Sequence, residues 1–598
     1  MNSCQQRPRH LIATADELTW KFDRPVIFLG EWCRLYDRRH VWQCMNAIVA
    51  APYGLGESSR KIASNEARAL EDKLFPILCN IINQHHGTDH DARFWKIVFG
   101  HWFRRYVHVM LNRVKTIEQA FLAYEISGIT AYADDQYRLA TLDSNSAIWA
   151  FNDARWNNAL SIRIIDLLNS ASCHMDVIEG CESSGFRYDT ISSPPSLVTT
   201  ALQWIRQQTS NAQSYLSRDN DAFIINSYFP IKESIKLQLT LGQCPQAWHT
   251  PKLKISEKPD GVLREGLAKQ LARKSSSNLE DILSVMLFEL LPVCYLEGFT
   301  NLNKLVKQQS WPKDPKFIFT SNDFDTNEVF KLWTATKVGT GSKYFTGQHG
   351  NAYGTDHYLY STIEEVTAHK FLTWGWTDGL PQHTPAFIFK TAGRKAEQYN
   401  PQGGLLLIEK CLGHRMETWD STSEFSNYFS EQQNFVSKLA ITPKLNLIIR
   451  MQANYKYYNW NEESRWRDFD PALKIERGNS PIRDLIARSR LVVHSYDSTG
   501  ILETLSQNIP TLAFWQNGLD HLRGSAKPYY QLLADVGIVH FTHESIAHKV
   551  NGMWDEVEYW WREPNVQFAR KKFCERYARI SENPVREISQ IFTDKPYC

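Results

Sequence analysis

The sequence lacks the features that mark several large classes of protein. Its 67 basic and 65 acidic residues leave a formal net charge of only +2, so there is no general electrostatic attraction to a nucleic-acid backbone. The 11 cysteines are odd in number and include no Cys-x-x-Cys pair, a pattern that indicates neither a disulfide framework nor a zinc site. We therefore expect a reducing compartment and no nucleic-acid partner.

Long uncharged hydrophobic runs are also missing. Residues 1–15 have no apolar core of the kind that a signal peptide carries. The two most apolar stretches, residues 94–111 and 282–299, both contain charged side chains, and a charge at the centre of a bilayer costs about 2.5 to 3.5 kcal/mol. The sequence predicts a cytoplasmic protein whose membrane contact is at most peripheral, at the inner face of the membrane.

What is present indicates a large globular α/β protein. The 598 residues exceed the size at which one hydrophobic core stops growing, and 43% of them are hydrophobic. After residue 386, short apolar runs alternate with helical spacing, with strands predicted at 405–408, 445–451, 491–494 and 511–514 and helices at 423–440, 482–488 and 499–506. This alternation is typical of a parallel sheet flanked by helices.

The N-terminal half is less regular. Apolar runs at 25–30, 222–226, 317–322 and 344–349 predict further strands, and residues 60–123 have the spacing of long helices. A cluster of glycine and proline from Gly379 to Pro385 predicts a linker. We therefore predict two Rossmann-like domains facing a cleft: residues 1–385 with helical insertions on the acceptor side, and residues 386–598 on the donor side, with C-terminal helices that cross back.

The strongest local signal is a buried strand, 491–494, that runs into a small polar turn and a helix. Backbone N–H groups at a helix start are unpaired and carry the positive end of the dipole, so Ser498, Thr499 and Gly500 are predicted to bind a donor phosphate. Glu503, one turn further, is placed to bind ribose hydroxyls. The alternative is that Ser498 is only an N-cap and Glu503 a surface acid.

A second signal is the glycine-rich segment 347–354, which follows a predicted strand. Glycines permit close approach of the backbone to a ligand, and a histidine can accept a proton from an attacking hydroxyl. His349 is the predicted catalytic base or phosphate contact, and the same loop supplies further candidate substrate-binding residues: Gln348, Gly350, Asn351 and Tyr353. The alternative is a tight turn with a structural histidine.

Other charged groups receive weaker predictions. Glu364 and Glu365 begin a helix, where adjacent acids are usually solvated, so they rank lower among the candidates. Arg450, at the end of a predicted strand, is a candidate to stabilise a leaving phosphate. The acidic pairs Asp134–Asp135 and Asp468–Asp470 lack the spacing or the preceding buried strand of a metal-binding couple, so no metal or other cofactor is expected.

Several motifs resemble the transferases encoded in O-antigen biosynthesis loci. They cover nearly the whole chain: Phe28-Leu-Gly-Glu-Trp-Cys33, Arg93-Phe-Trp95, Phe319-Thr-Ser-Asn322, Gly347-Gln-His-Gly350, Tyr353-Gly354, Thr373-Trp-Gly-Trp376 and Ser498-Thr-Gly500 with Glu503. The resemblance implies a bacterial enzyme of lipopolysaccharide or other surface-polysaccharide synthesis. It also adds Glu31 and Asn322 to the candidate substrate-binding residues.

More distantly, the histidine-glycine loop and the serine-threonine turn are similar to sugar and polyol-phosphate transferases of the GT-B type, which have two Rossmann-like domains. This resemblance implies that His349 lies near the reacting centre and that Ser498, Thr499 and Glu503 hold a donor nucleotide. The chain departs from the glycerophosphate transferases after His349, where Gly-Asn-Ala-Tyr-Gly replaces their threonine, proline and lysine, which favours a sugar donor over a polyol-phosphate donor.

These observations favour a glycosyltransferase that moves a sugar from a nucleotide-activated donor to a glycan, a lipid-linked glycan or a glycoprotein. Three alternatives remain open: a nucleotide-sugar epimerase or hydrolase on the same fold, a CDP-polyol phosphotransferase, and a noncatalytic nucleotide-binding protein. Analysis of the products formed from the donor alone separates the first of these from a transferase.

Overall fold

A computed structural model describes most of the chain: residues 8–51, 53–54, 56–133, 139–168, 173–178, 216–251, 253–272, 278–359, 361–394, 399–410, 425–453, 455–458 and 460–593. These residues form an α/β protein with three sheets, and every pairing between strands of these sheets is parallel. Parallel strands buried on both faces read as short apolar runs, which is why the sequence pattern locates them.

The first sheet has the strand order β3-β2-β1-β4-β5. Its strands are β1 (Arg9–Ile12), β2 (Val26–Phe28), β3 (Ala47–Val49), β4 (Ile126–Tyr132) and β5 (His174–Ile178). The second sheet runs in simple sequence order, with β6 at one edge and β10 at the other. Its strands are β6 (Phe223–Ile224), β7 (Phe317–Thr320), β8 (Lys343–Gly347), β9 (Lys370–Thr373) and β10 (His383–Pro385).

The third sheet has the order β13-β12-β11-β14-β15-β16. Its strands are β11 (Gly404–Ile408), β12 (Leu447–Arg450), β13 (Lys474–Glu476), β14 (Ser489–His494), β15 (Thr511–Phe514) and β16 (Val539–His540). Numbered within this sheet the order is 3-2-1-4-5-6, which is that of a Rossmann fold. The order in which strands are added to the sheet reverses between β11 and β14, so the ligand crevice of such a sheet lies beyond their carboxyl ends.

Helices connect and cover the sheets. In chain order they are α1 (Arg39–Trp42), α2 (Glu57–His86), α3 (Ala92–Ala123), α4 (Ser144–Ala150), α5 (Ala154–Leu167), α6 (Ile231–Thr240), α7 (Gly261–Ala272), α8 (Asn278–Leu290), α9 (Phe299–Lys307), α10 (Glu328–Gly339), α11 (Ile363–Thr367), α12 (Phe425–Ser437), α13 (Ile441–Leu445), α14 (Glu462–Phe469), α15 (Ile482–Ile486), α16 (Thr499–Ser506), α17 (Lys527–Asp535), α18 (His543–Met553), α19 (Val557–Arg562), α20 (Pro564–Tyr577) and α21 (Pro584–Thr593).

The long helix α3 joins the first two sheets. Asp91 caps its N-terminus by accepting a hydrogen bond from the N–H of Phe94, and apolar residues on most of its sides are buried. It packs against α2 and α5 on one side and against α10 and α11 of the second sheet on the other. One hydrophobic cluster consequently extends from Leu11 in the first sheet to Tyr344 in the second.

A second hydrophobic cluster fills the C-terminal part of the chain, and it includes Trp374 and Trp376 from the segment after β9. The last helix, α21, packs on α6, and its Phe592 ring lies against Phe317 and Phe345 of the second sheet. The C-terminal helices therefore extend from the third sheet to the second. Within the described residues, no helix is both long and apolar enough to cross a bilayer.

The predicted α/β class with parallel, Rossmann-like sheets is confirmed. The N-terminal half differs in one respect, because it contains two sheets that share a core through α3. The division of the chain at residue 385 stays a prediction. The predicted helix 423–440 is observed as α12, and its first two residues lie outside the described part.

Candidate functional site

The turn between β14 and α16 lies at the crevice of the third sheet. Ser498 caps α16, with its Oγ accepting a hydrogen bond from the N–H of Ile501 at 3.3 Å. The same Oγ is 3.2 Å from Nδ1 of His494, the last residue of the strand. Burial lowers the pKa of His494 to about 3, so this histidine is neutral at pH 7. Ser498 thus has the N-cap geometry, and its hydroxyl belongs to a buried neutral network.

Gly500 is required by the packing of that network. A Cβ atom at this position would lie 2.5 Å from Cε1 of His494, a contact that real side chains do not make. The glycine therefore lets the first turn of α16 approach the end of β14 closely, and the start of the helix remains free of bulky side chains at residue 500.

Two cations lie at neighbouring strand ends. Arg450 is the last residue of β12 and its Nε is 3.7 Å from a carboxylate oxygen of Glu476. Lys410 follows β11, and its Nζ is 5.8 Å from the ring centroid of Tyr496, two residues before Ser498. Burial raises the pKa of Tyr496, and the charge of Arg450 opposes this rise. Two positive charges therefore lie near the polar turn, where they would favour an anionic ligand.

Glu409 lies beside this turn, directly after β11. Its side chain is buried, and Nε1 of Trp466 donates to its carboxyl group at 3.0 Å. Burial raises the pKa of Glu409 to about 8, with the nearby Glu462 adding to the rise. This acid is therefore mostly protonated at neutral pH, and no sequence pattern identified it.

The loop after β8 is held in place by Gln348. Its Oε1 accepts hydrogen bonds from the N–H of Trp374 and from Nε1 of Trp376, both at 2.8 Å, and its Nε2 donates to the carbonyl of Gly350 at 2.9 Å. The side chain is buried. The structure thus uses Gln348, predicted as a substrate contact, to fix the loop that carries His349.

His349 projects from this loop among aromatic rings. Its ring centroid is 5.4 Å from that of Tyr353, 5.8 Å from that of Phe324 and 6.2 Å from that of Tyr228. Burial lowers the pKa of His349 to about 4; the charge of Asp325 opposes this fall, and the charge of Lys390 adds to it. The imidazole is neutral at physiological pH and can accept a proton.

The two sequence signals meet directly. The N–H of Asn351 donates to Oγ1 of Thr499 at 2.9 Å, and its Nδ2 donates to Oδ1 of Asp497 at 2.7 Å. Asp497 is in turn held by Nε2 of His521 at 3.0 Å and by the hydroxyl of Tyr530 at 3.1 Å. The His349 loop of the second sheet and the start of α16 therefore adjoin; we call the residues around this contact the inter-sheet junction.

The expectation that Glu364 and Glu365 are solvated is wrong. Both side chains are buried, at 3% and 1% exposure, because α11 packs against α3. Glu365 forms a capping box with Thr362, whereas the hydroxyl of Tyr353 donates to Oε1 of Glu364. Burial raises the pKa of Glu364 to about 7. The sequence pattern of two adjacent acids on a helix is the same whether their side chains are buried or exposed, so it could not predict this burial.

Glu31 lies elsewhere in the fold. It follows β2 of the first sheet and forms a two-pronged ion pair with Arg34, with a shortest distance of 2.5 Å. Asp468 contacts Arg39 at 2.8 Å and Asp470 contacts Lys444 at 3.0 Å. Asp134 and Asp135 lie outside the described residues. Among the residues that are described, no group of three or more histidine, cysteine or acidic side chains is arranged to hold a metal ion.

Comparison with known proteins identifies the family of the chain. The model of the LIC12162 family transferases matches residues 9–592. The chain belongs to this transferase family. The match includes all three sheets and both signals at the junction. A comparison with curated protein sequences finds no match.

Several solved structures are distantly similar to this LIC12162 family transferase. The spinosyn rhamnosyltransferase SpnG, complexed with spinosyn aglycone, is 12% identical over 62% of this chain and 99% of its own, with a TM-score of 0.30. The S. aureus MnaA–UDP structure is 12% identical over 57% and 96%, with a TM-score of 0.30. UDP-GlcNAc 2-epimerase from Neisseria meningitidis, bound to UDP-GlcNAc, is 13% identical over 50% and 89%, with a TM-score of 0.28. Scores of this size establish no common function.

Sequence reasoning missed a lysine at the junction of this transferase. Lys390 follows β10, and its Nζ is 3.3 Å from Oε1 of Glu503 and 5.2 Å from the ring centroid of Tyr228. Glu503, predicted to bind ribose, is thus paired with a cation from the second sheet. No motif surrounds Lys390, so only the tertiary contact identifies it.

A further acidic residue lies beyond the second sheet. Asp323 accepts a hydrogen bond from Nδ2 of Asn226 at 3.3 Å, and burial raises its pKa to about 6. Asn226 and Tyr228 have positive φ angles of 44° and 62°; backbone strain of this kind in a tyrosine is uncommon and collects at functional sites. Asn322, the predicted neighbour, uses its backbone N–H to donate to Oγ1 of Thr320 at 3.2 Å.

Proposed function

We propose that this transferase moves a sugar from a nucleotide-activated donor to a hydroxyl group of a surface glycan, a lipid-linked glycan or a glycoprotein. The observation that supports this proposal most directly is the hydrogen bond between Asn351 and Thr499. It brings a neutral histidine from one sheet to the helix start of another, as a reaction between two substrates requires.

The donor site is the third-sheet side of the junction. The first N–H groups of α16 provide a seat for phosphate, and Arg450 and Lys410 add positive charge at the neighbouring strand ends. Glu503 is half-buried beside Lys390, where its carboxylate can bind ribose hydroxyls while the lysine faces the leaving phosphate. Fixed charges and dipoles of this kind stabilise the negative charge that develops as the sugar leaves.

The acceptor side is the second-sheet side, with His349 as the base. Because burial keeps the imidazole neutral, it can take the proton of an acceptor hydroxyl as that oxygen attacks the sugar. Tyr228 lies near both His349 and Lys390, and Asp323 lies near Tyr228, so both could contact an acceptor that carries several hydroxyl groups.

Nucleotide binding is the first experiment. The protein is heated with CMP, CDP, UDP, GDP or dTDP, each at a concentration well above its expected dissociation constant. A ligand at about a hundred times its dissociation constant stabilises the folded protein by about 2.7 kcal/mol. One nucleotide class should raise the melting temperature, and the absence of any shift at all would contradict a donor site at α16.

Product analysis then tests the reaction with the matching nucleotide sugars. The wild type should form a glycosylated acceptor, and His349→Gln should lower kcat by about 10²- to 10⁴-fold, the usual contribution of a general base, while nucleotide binding is retained. His174→Gln, at an exposed position in β5, is the matched control. Free sugar or an epimer without acceptor would indicate a hydrolase or epimerase, a transferred polyol phosphate a phosphotransferase, and binding without turnover a noncatalytic protein.

A further inference from the structure

A row of buried polar groups leads from His349 into the interior of the protein. Nδ1 of His349 is 3.2 Å from the hydroxyl oxygen of Tyr353, and that hydroxyl donates to Oε1 of Glu364. The side chains of Tyr353 and Glu364 are 5% and 3% exposed. Water therefore cannot readily replace either hydrogen bond.

The direction of these hydrogen bonds follows from the number of protons available. A tyrosine hydroxyl has one proton, and here it goes to the carboxylate of Glu364. The oxygen of Tyr353 can then only accept from Nδ1 of His349, so Nδ1 must carry the imidazole proton. Nε2 keeps its lone pair, and no hydrogen bond to Nε2 occurs among the described residues.

We propose that Tyr353 and Glu364 are positioning residues that hold His349 in the Nδ1–H tautomer and so present Nε2 as the base. This inference rests on the role of His349 in the proposed function. When Nε2 takes the proton of the acceptor hydroxyl, the imidazole becomes positively charged. The carboxylate of Glu364 stabilises this charge through the hydroxyl of Tyr353. Neither Tyr353 nor Glu364 needs to touch the substrate to do this.

Several groups besides Tyr353 act on the carboxyl group of Glu364: burial raises its pKa, and hydrogen bonds from the backbone and from Thr362 oppose this rise. The charged or titratable groups that face it come from its own helix, from α3 and from the segments on either side: Glu365, His101, Arg104, Asp325 with Arg105, and Tyr344. Burial lowers the pKa of His101 to about 3, so this histidine is neutral, although its Nε2 is 3.5 Å from Oε2 of Glu364.

The two nearby arginines have acidic partners of their own. Arg104 makes two hydrogen bonds to Glu71, at 2.9 and 3.0 Å, and Arg105 makes two to Asp325, at 2.6 and 2.9 Å. Burial, with the charge of Glu365 adding to it, therefore raises the pKa of Glu364 to about 7. The carboxylate form predominates above this pH, so the preference for Nδ1–H should weaken as the pH falls through 7.

The tautomer can be measured without any donor. The protein is labelled with ¹⁵N-histidine, and two-bond ¹H–¹⁵N spectra are recorded between pH 6 and pH 8.5, with His349→Gln used to assign the signal. In the wild type, the shifts of His349 should show mainly Nδ1–H at pH 8.5. Tyr353→Phe should move the population towards Nε2–H, whereas Tyr358→Phe, in the same segment, should leave it unchanged.

Glu364→Gln provides a second variant that keeps the shape of the side chain. Its amide oxygen still accepts from Tyr353, so the tautomer ratio of His349 should no longer change with pH around 7. Once a donor is known, Tyr353→Phe and Glu364→Gln should each lower kcat by about 10- to 100-fold, as loss of a partner that orients a histidine does, with little change in KM.

Three results would overturn the proposal: a wild-type His349 that is mainly Nε2–H or charged at pH 8.5, a Tyr353→Phe protein with the wild-type tautomer ratio, or a pH response that persists in Glu364→Gln. Near-UV circular dichroism establishes that each variant is folded. The spectra need no substrate, so the two experiments test separate claims. A failed tautomer test would not contradict the transferase reaction, and a failed search for transfer would not contradict the tautomer result.

Discussion

The first and third sheets have the same order for their first five strands, 3-2-1-4-5, but different groups lie at the point where the strand order reverses. Beyond the third sheet, α16 begins at Thr499 with Ser498 as its N-cap, and Lys410 and Arg450 lie at the neighbouring strand ends. In the first sheet, β1 is followed by a short 3-10 turn, Glu17–Thr19, and residues 134–138, after β4, lie outside the described part of the chain.

Two tryptophans occupy that position in the first sheet. Nε1 of Trp20 donates to the carbonyl of Thr14, and Nε1 of Trp32 donates to the carbonyl of Ala13, both at 3.0 Å. These carbonyls belong to the two residues that follow β1. The shared strand order therefore creates an equivalent ligand position beyond each sheet. In the first sheet the tryptophan side chains fill this position, whereas the side chains at the third sheet suit an anion.

The largest effect on stability is expected from removing the ring of Trp20, which lies at the position in the first sheet that corresponds to the ligand crevice. Trp20 is 5% exposed and packs edge-on against Phe28, with ring centroids 5.1 Å apart. Trp20→Ala should lower the free energy of unfolding by about 3 to 5 kcal/mol, as removal of a buried aromatic ring does, and should leave nucleotide affinity unchanged. Chemical denaturation and calorimetric titration measure the two quantities; lost affinity in the folded variant would contradict the comparison.

At the third sheet, Arg450→Gln should act on binding rather than on folding. A hydrogen bond to a charged group contributes about 1.5 to 3 kcal/mol, so nucleotide affinity should fall roughly 10- to 100-fold. The matched control is Arg155→Gln in α5, beside the first sheet, where Arg155 is 3.4 Å from Asp16. Equal loss of nucleotide affinity in both variants would contradict the assignment of the nucleotide site to the third sheet alone.

The two sheets also differ at the residue that follows their first strand. This residue is Ala13 in the first sheet and Glu409 in the third, so only the third sheet should make stability depend on pH at this position. Burial raises the pKa of Glu409 from the ordinary 4.5 to about 8, so the folded protein holds a proton that the unfolded chain releases. The contribution of Glu409 to stability is full below pH 4.5 and falls as the pH rises to 8.

Glu409→Gln removes this loss because glutamine does not ionise. Relative to the wild type, its free energy of unfolding should therefore rise between pH 5 and pH 8 by an amount on the order of 3 kcal/mol. Denaturant titrations of both proteins across this range measure the difference. Parallel stability curves would mean that Glu409 is not protonated in the folded protein.

The smallest effect is expected from Ser498→Ala, which distinguishes a cap from a phosphate contact. Loss of the cap should cost about 1 kcal/mol of stability. The matched control is Thr542→Ala, because Thr542 caps α18 by accepting from the N–H of Ser545 at 3.2 Å. If Ser498 also holds phosphate, only its variant should lose nucleotide affinity; unchanged affinity in both would leave Ser498 as a cap alone.

The sequence by itself determined the local elements of the third sheet. The predicted strand 511–514 and helix 499–506 match β15 and α16, because a buried strand requires an apolar run and a helix start requires a capping residue, both within a few positions. The glycine-rich loop after β8 was located for the same reason.

Only the tertiary structure decided how these elements make a site. The hydrogen bond from Asn351 to Thr499 and the ion pair of Lys390 with Glu503 join residues more than a hundred positions apart, and local patterns contain no information on such contacts. Burial of Glu364 depends on where α3 packs, so its pKa could not be inferred from two adjacent acids. Charge state and hydrogen-bond partners are properties of the folded environment, and the chemistry of this site depends on both.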